Sequence, residues 1–393
     1  MEFHAWCNPY RAVYALGISS VSTTHITKLK PGWFINYGGK KYFDPGNKEV
    51  QAYVNTVVED ILRRYDVDAL HFDDYFYPYR VPGKVFVDTA SYRKYGNGLA
   101  LDDWRRSNVD SIILSLSQTT KRIKPYCRFG ISPFGVWRNQ SADPEGSATR
   151  AGQTNYDDLY ANILLWLKNG WIDYVAPQLY WEFGHSAAAY ETLLEWWSRH
   201  TYGKDCYIGL GIYKAGTSKN WRDLTLIPRQ IQALRETPNI GGAIFFSSKS
   251  FMNNPLGWND SLRNNYYRLP AIIPPYENAG IQPPPVPLIS DVVISANKEV
   301  KFRVSEPSGS SDEIRLINVY SGERNTAFPA SRLISSVPFE KDISFSFNLP
   351  DTDQITLFVT YQNRVNHESS TAAEILKPIT AYRQADGSWV ATY

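Results

Sequence analysis

Cysteine is scarce in this chain, with three in 393 residues. Cys7, Cys127 and Cys206 form neither a paired framework nor a metal-ligand spacing, which excludes a disulfide-stapled scaffold and a zinc module. Each falls in or at the start of an expected strand, where a thiol serves as a small buried hydrophobe. Long apolar runs are also missing. No stretch reaches 18 apolar residues, so no membrane-spanning helix is expected, and no signal peptide is read at Met1. Neither sign of charge dominates. A net charge of +2, with charged residues at 20%, sets up no field that would draw nucleic acid or a membrane surface. Gly209-Leu210-Gly211-Ile212-Tyr213-Lys214 resembles a phosphate loop only loosely, and no Gly-Lys-Ser/Thr follows it, so nucleotide binding is discarded. There is no Gly-x-Ser-x-Gly elbow. No His/Cys/carboxylate spacing supports a metal, and no cofactor is expected.

Aromatic residues are abundant, at 15% with 12 Trp and 27 Tyr. A large core explains part of this. A carbohydrate-binding cleft explains the rings that fall at expected loop starts. The length allows two or three domains.

From residue 1 to about 265, short apolar runs alternate with helix-period segments. Strands are expected over Glu2–Asn8, Asp68–Asp74, Arg128–Pro133, Ile172–Gln178, Cys206–Ile212 and Gly242–Ser247. Between the first two, Val50, Tyr53, Val54, Val57, Val58, Ile61, Leu62 and Tyr65 follow the i, i+3, i+4, i+7 stripe of an amphipathic helix. Trp104–Ile123, Tyr156–Leu167, Ala187–Trp197 and Ile227–Leu234 repeat it less regularly. Strands alternating with helices predict a parallel sheet with helices outside, an α/β fold of the (β/α)₈ barrel type. Leu269–Leu288 is rich in proline (Pro270, Pro274, Pro275, Pro283, Pro284, Pro285 and Pro287) and reads as an extended linker. Beyond it the period falls to two, over Asp291–Ser295, Glu299–Val304, Glu313–Tyr320, Asp342–Asn348 and Gln354–Tyr361, which predicts an all-β sandwich. The expected domains are therefore a barrel over residues 1–270, a linker over 271–287 and a sandwich over 288–393.

The run Val67-Asp68-Ala69-Leu70-His71-Phe72-Asp73-Asp74-Tyr75-Phe76-Tyr77-Pro78 carries the strongest chemical signal. It is an apolar strand that ends in two carboxylates among rings, and the active sites of such folds lie at the carboxyl ends of the strands. Alternation places His71, Asp73 and Tyr75 on one face and Leu70, Phe72 and Asp74 on the other, so Asp73 is expected to point into the barrel mouth. Asp74 sits at the tip, where the loop sets its direction. The competing role for either is a helix cap or an ion pair with arginine. In Asp173-Tyr174-Val175-Ala176-Pro177-Gln178-Leu179-Tyr180-Trp181-Glu182, the face of Tyr174, Ala176 and Gln178 continues to Tyr180 and Glu182. Glu182 is thus a further candidate carboxylate, or else a solvated loop acid. Gln178 is a candidate partner for a substrate group. Asn8, Tyr10 and Arg11 end the first strand, where an arginine beside an aspartate would keep it ionised. Phe134, Trp137, Arg138, Tyr77, Trp181 and Tyr213 complete the candidate binding surface. Paired carboxylates are the means of glycoside hydrolysis.

Four of these stretches, in this order, resemble the glycosyl-hydrolase-like 10 family, a bacterial group of barrel proteins. They are His4–Arg11, His71–Pro78, Gly130–Arg138 and Asp173–Trp181, and the similarity extends over residues 1 to roughly 275. The resemblance implies a secreted or envelope-anchored glycosidase acting on cell-wall glycan strands or a related amino-sugar polysaccharide. Asp73, Asp74 and Glu182 rest on the geometric argument and not on the resemblance. In that family the His4–Arg11 motif looks like the third barrel strand. With six strands in place of eight, the barrel is expected to be incomplete at its N-terminal side, and a signal sequence would have gone with the missing part. An extracytoplasmic location is therefore expected (periplasmic, outer-membrane-anchored or secreted). Gln354–Ser369 resembles the last strands of a fibronectin type III module.

The leading expectation is a glycoside hydrolase with a polysaccharide substrate, no nucleic-acid partner and no membrane-spanning segment. The alternative is a catalytically inactive carbohydrate-binding or scaffold protein of the same fold. A third reading is an amylase-like glycosyltransferase, which product analysis would separate.

Overall fold

The computed structural model describes residues 2–268, 271–277, 280–295, 299–306, 314–322, 332–348, 353–369 and 378–393. The chain divides into two compact units, Met1–Arg263 and Asn264–Tyr393.

The first unit contains nine strands: β1 (His4–Cys7), β2 (Arg11–Val13), β3 (Phe34–Tyr37), β4 (Lys40–Phe43), β5 (Ala69–Phe72), β6 (Arg128–Ile131), β7 (Tyr174–Val175), β8 (Asp205–Leu210) and β9 (Gly242–Phe245). Six of them form one parallel sheet in the order β1-β5-β6-β7-β8-β9. Helices connect them, as the alternating periods predict. The helix Lys48–Arg64 shows why. Asn47 caps it by accepting from the Glu49 N–H at 2.9 Å. Val50, Val54, Val58 and Leu62 then bury one stripe, while Arg63 and Arg64 face the negative end of its dipole. The central strands are apolar on the face turned away from the cleft. Leu70, Phe72, Phe129 and Ile131 are buried, each worth roughly 1.5–3 kcal/mol relative to exposure.

Among the described residues, β1 pairs only with β5 and β9 only with β8. Both edge strands are correspondingly open, with Phe3 65%, Trp6 58% and Ile244 40% exposed. Two features depart from the periodicity. The expected helix Tyr156–Leu167 is two helices, Asn155–Asp158 and Ile163–Lys168. Tyr160 has a positive φ of 54° between them and Asn162 caps the second. A three-stranded antiparallel sheet, β2-β4-β3, is inserted after β1. Its β3–β4 hairpin turns on Gly38 and Gly39, at φ of 57° and 76°, the conformation that a two-residue hairpin requires.

The second unit contains β10 (Leu288–Ile294), β11 (Glu299–Ser305), β12 (Ile314–Ser321), β13 (Leu333–Pro338), β14 (Ile343–Asn348), β15 (Gln354–Asn363), β16 (Ile379–Arg383) and β17 (Trp389–Thr392). They form two antiparallel sheets, β10-β11-β14 and β13-β12-β15-β16-β17. Alternate residues such as Val300, Phe302, Val304, Ile317, Val319, Leu357 and Val359 form its core. The Pro-rich stretch expected as a linker belongs to this unit. The Tyr276 N–H donates to the Val365 carbonyl at 2.8 Å, and Ile272 and Val286 pack on Tyr320, Leu333 and Phe358. Leu269, Pro270 and Glu313, which fall in expected elements, lie outside the described residues.

Candidate active site

A cleft of about 940 Å³ opens at the carboxyl ends of the parallel strands. Its floor comes from β5 and the residues after it. His71, Asp73 and Tyr75 line the cleft, while Leu70, Phe72 and Asp74 are buried behind them. Phe134, Gln178, Tyr180, Trp181 and Tyr213 form walls. Asp73 is the single carboxylate, and Lys214 the single lysine or arginine, among the described lining residues.

The Asp73 Oδ1 accepts from the Asp74 backbone N–H at 2.9 Å and from Gln178 Nε2 at 3.2 Å. Gln178 Nε2 also donates to the Ser132 carbonyl at 2.9 Å, which fixes the amide between two acceptors. Asp74 lies beneath, 2% exposed. Its Oδ2 accepts a hydrogen bond from the Tyr79 hydroxyl, and its Oδ1 is buried without a hydrogen-bond partner. Burial first, and then the neighbouring Asp73 charge, push the Asp74 carboxyl well above the usual carboxylate range. Tyr79 is pushed upward by burial and then by Asp74, so its hydroxyl keeps its proton and remains the donor.

A polar column runs under the cleft. Arg128 Nη2 donates to Glu2 Oε2 at 2.6 Å, and the same oxygen lies 2.9 Å from His4 Nε2. The Tyr174 hydroxyl bridges His4 Nδ1 at 3.0 Å and His71 Nδ1 at 2.8 Å, and His71 Nε2 meets Ser132 Oγ at 2.9 Å. Burial, and then the nearby His4, lower the His71 imidazole to about 4. His71 is therefore neutral at pH 7, with both ring nitrogens occupied. Gly130 makes room for this column, because a Cβ there would sit 2.1–2.3 Å from the Tyr174 ring.

The structure keeps other candidates away from the cleft. Glu182 does not line it. Its oxygens accept from Asn220 Nδ2 and Trp221 Nε1, each at 3.1 Å. Burial alone would raise its carboxyl, but hydrogen bonds from its own backbone and from Asn220 bring it below its ordinary value. Arg11 meets neither aspartate in a salt bridge or hydrogen bond. Its guanidinium covers the Tyr14 and Tyr75 rings at 5.2 and 5.1 Å. Asn8 Oδ1 caps the turn by accepting from the Arg11 N–H at 3.1 Å. Tyr10 and Tyr77 are core residues, and Trp137 stacks on Trp196 at 6.0 Å. Arg138 is held by Asp143 and Asp157, each at 2.8 Å. Lining residues that the sequence reading did not single out include His4, Trp6, Tyr79, Ser132 and Phe246. Alternation along β1 would have found His4 and Trp6, since Trp6 pairs with His71. No periodicity marks Tyr79, which arrives from an irregular loop.

The glycosyl hydrolase-like 10 model matches residues 1–223, which include β1, β5, β6 and β7 and the cleft residues that follow them. The chain belongs to this family. Two relatives of this glycosyl hydrolase-like 10 protein carry activity-bearing names. Glycosyl hydrolase YngK of Bacillus subtilis (strain 168) is 37% identical over 386 residues, 96% of this chain and 75% of that protein. Glycosyl hydrolase DigH of Escherichia coli (strain K12) is 38% identical over 275 residues, 65% of this chain and 62% of that protein. Among solved structures, the PgaB (BpsB) glycoside hydrolase domain from Bordetella bronchiseptica superposes with a TM-score of 0.42 at 15% identity, covering 67% of this chain and 74% of that one. No helix among the described residues is long and apolar enough to cross a membrane.

Proposed function

We propose that this chain is a glycoside hydrolase acting on a bacterial cell-wall glycan or a related amino-sugar polysaccharide, with Asp73 and Asp74 as its chemical centre. The observation that carries this reading is the Asp73–Asp74 pair, with one carboxylate on the cleft floor and the other buried and pushed up beneath it. Two carboxylates this close do not both ionise readily, so the pair holds a proton at pH values where a lone aspartate would not. Asp73 delivers that proton to the leaving glycosidic oxygen. Asp74 is the buried member of the pair, on which that single proton rests between turnovers.

Direct displacement or inversion needs a second carboxylate facing the sugar, and Asp73 is alone among the described lining residues. In a substrate with 2-acetamido groups, the acetamide oxygen supplies the nucleophile. It attacks the anomeric carbon as the glycosidic C–O bond breaks; water then bonds to the anomeric carbon as the acetamide C–O bond breaks, and the water proton returns to Asp73. Tyr180, Trp181 and Tyr213 give apolar faces for sugar rings, and Gln178 holds Asp73 in register. Action on such a polymer fits an extracytoplasmic location.

The test is hydrolysis of peptide-free cell-wall glycan strands, with products identified by mass spectrometry. Asp73→Asn should lose about 10²–10⁴-fold in turnover, the usual contribution of a positioned acid. Near-wild-type turnover with an intact fold removes Asp73 from the mechanism. Binding without turnover by the wild-type chain points instead to a carbohydrate-binding protein.

A further inference from the structure

Among the described lining residues Lys214 is the one lysine or arginine, and no described carboxylate pairs with it in a salt bridge. It ends the short 3₁₀ turn Ile212–Lys214 that follows β8, so the fold delivers it to the same rim as the sugar-facing rings. Its Nζ donates to the Tyr180 carbonyl at 2.6 Å and lies 5.4 Å from the centre of the buried Trp221 ring. Those two contacts orient the ammonium without balancing it. Glu182 is the acid whose charge it feels, yet Glu182 spends its oxygens on Asn220 and Trp221 and makes no salt bridge with Lys214. An ammonium has three N–H donors, and the Tyr180 carbonyl takes one. Burial lowers the Lys214 ammonium from its ordinary value, and the Glu182 charge acts against that shift. Beside it, Tyr180, Tyr213 and Phe246 form a cluster of rings, Tyr180 lying 5.8 Å from Tyr213 and 6.2 Å from Phe246, with Phe246 stacked at 23°. These rings offer a face for a sugar, and Lys214 lines the same cleft.

We infer that Lys214 is a specificity-determining residue that reads a carboxylate on the glycan, so the cleft favours acidic amino-sugar strands over neutral ones. This rests on the amino-sugar hydrolase reading above and adds the charge of its substrate. A carboxylate on such a polymer has two sources, a lactyl ether on the hexosamine ring or a uronic acid at C6. Both would satisfy the free N–H donors of the ammonium, and the experiment separates them. A purely structural lysine, clamping the Tyr180 carbonyl to the β8 turn, would matter equally for every glycan.

The experiment measures binding first, so that its outcome does not depend on catalysis. The full chain is titrated calorimetrically with four oligosaccharides of equal length: lactyl-bearing, its carboxyl-reduced counterpart, uronate-bearing, and its carboxyl-reduced counterpart. One acid should bind about tenfold or more tighter than its own reduced form, and which pair shows the difference identifies the source of the carboxylate. In Lys214→Met the ratio should collapse towards one, and Lys214→Arg should retain most of it. Equal affinities for both acid and reduced pairs in the wild-type chain overturn the inference. So does a Lys214→Met variant that weakens acid and reduced forms by the same factor. Hydrolysis of the same oligosaccharides is followed separately. Carboxylate-dependent binding without turnover would overturn the hydrolase reading and leave the carboxylate subsite standing.

Discussion

Replacing Tyr79 by phenylalanine removes one hydroxyl and keeps the ring in its edge contacts with Tyr75 at 5.2 Å and Phe134 at 6.1 Å. The lost group is the donor to Asp74 Oδ2, and Asp74 Oδ1 already lacks a partner. In Tyr79→Phe both oxygens of a carboxyl that is 2% exposed are left without a side-chain donor. The Tyr79 hydrogen bond pulls the Asp74 carboxyl down against burial and against Asp73, so removing it raises that carboxyl further. A hydrogen bond to a charged group is worth about 1.5–3 kcal/mol, which at about 1.4 kcal/mol per pH unit is a shift of about one to two units. The pair then holds its proton to higher pH. The alkaline limb of the kcat/KM profile should move up by about one to two units. Stability carries the same sign. A folded-state carboxyl raised above its unfolded value binds more protons when folded, so its contribution is full at low pH and falls as pH rises towards the folded value. Tyr79→Phe should extend that fall to higher pH. The assay is a pH series of kcat/KM on glycan oligosaccharides beside urea unfolding in the same buffers. An alkaline limb that stays in place, or moves down, refutes the proposed coupling between Tyr79, Asp74 and the proton that Asp73 delivers.

Gly130→Ala should cost about 3 kcal/mol or leave the chain insoluble, because the added methyl would overlap the Tyr174 ring between β6 and β7; thermal unfolding reads this directly. Asp110 is raised by burial to about 6 and accepts from Trp166 Nε1 at 2.6 Å. Wild-type stability should therefore fall by about 2–3 kcal/mol between pH 4 and 6 relative to Asp110→Asn, which has no proton to lose there; urea midpoints across that range provide the comparison. Glu182→Gln should keep turnover within about tenfold while losing about 1 kcal/mol of stability, since this side chain secures the loop to Asn220 and Trp221. A loss of turnover comparable to that of Asp73→Asn would return Glu182 to the mechanism.

The legible parts of the fold were those in which one physical period runs uninterrupted. The stripe from Val50 to Leu62 marked its helix within a few residues, because every fourth side chain is apolar and Asn47 supplies the cap. The central strands were legible because buried parallel strands are short, mostly apolar runs, as in Ala69–Phe72. The sheet β2-β4-β3 was not. Its strands have three or four residues, too short for a period, and its turn is a pair of glycines among many. Alternation also placed Asp73, His71 and Tyr75 on the cleft side. It failed beyond the strand ends, where Glu182 turns towards Asn220 and Tyr79 turns back to Asp74. Loop direction is set by tertiary contacts, and a period of two does not extend into it.

Two consecutive acids at a strand tip have a consequence that neither has alone. β5 ends at Phe72, and the turn after it sends the two side chains apart, Asp73 to the cleft lining and Asp74 to the buried side. One meets the substrate and the other meets the core. At this tip the core side is fully packed, with Phe72, Phe76 and Tyr77 all buried, so Asp74 enters a low-dielectric setting by construction. The Asp73 charge beside it then raises the Asp74 carboxyl further. A pair in sequence gives one carboxylate on the cleft lining above a buried neighbour, and Tyr79 is positioned to adjust that neighbour. The arrangement therefore favours chemistry in which the protein moves one proton and the substrate supplies the second reactive group.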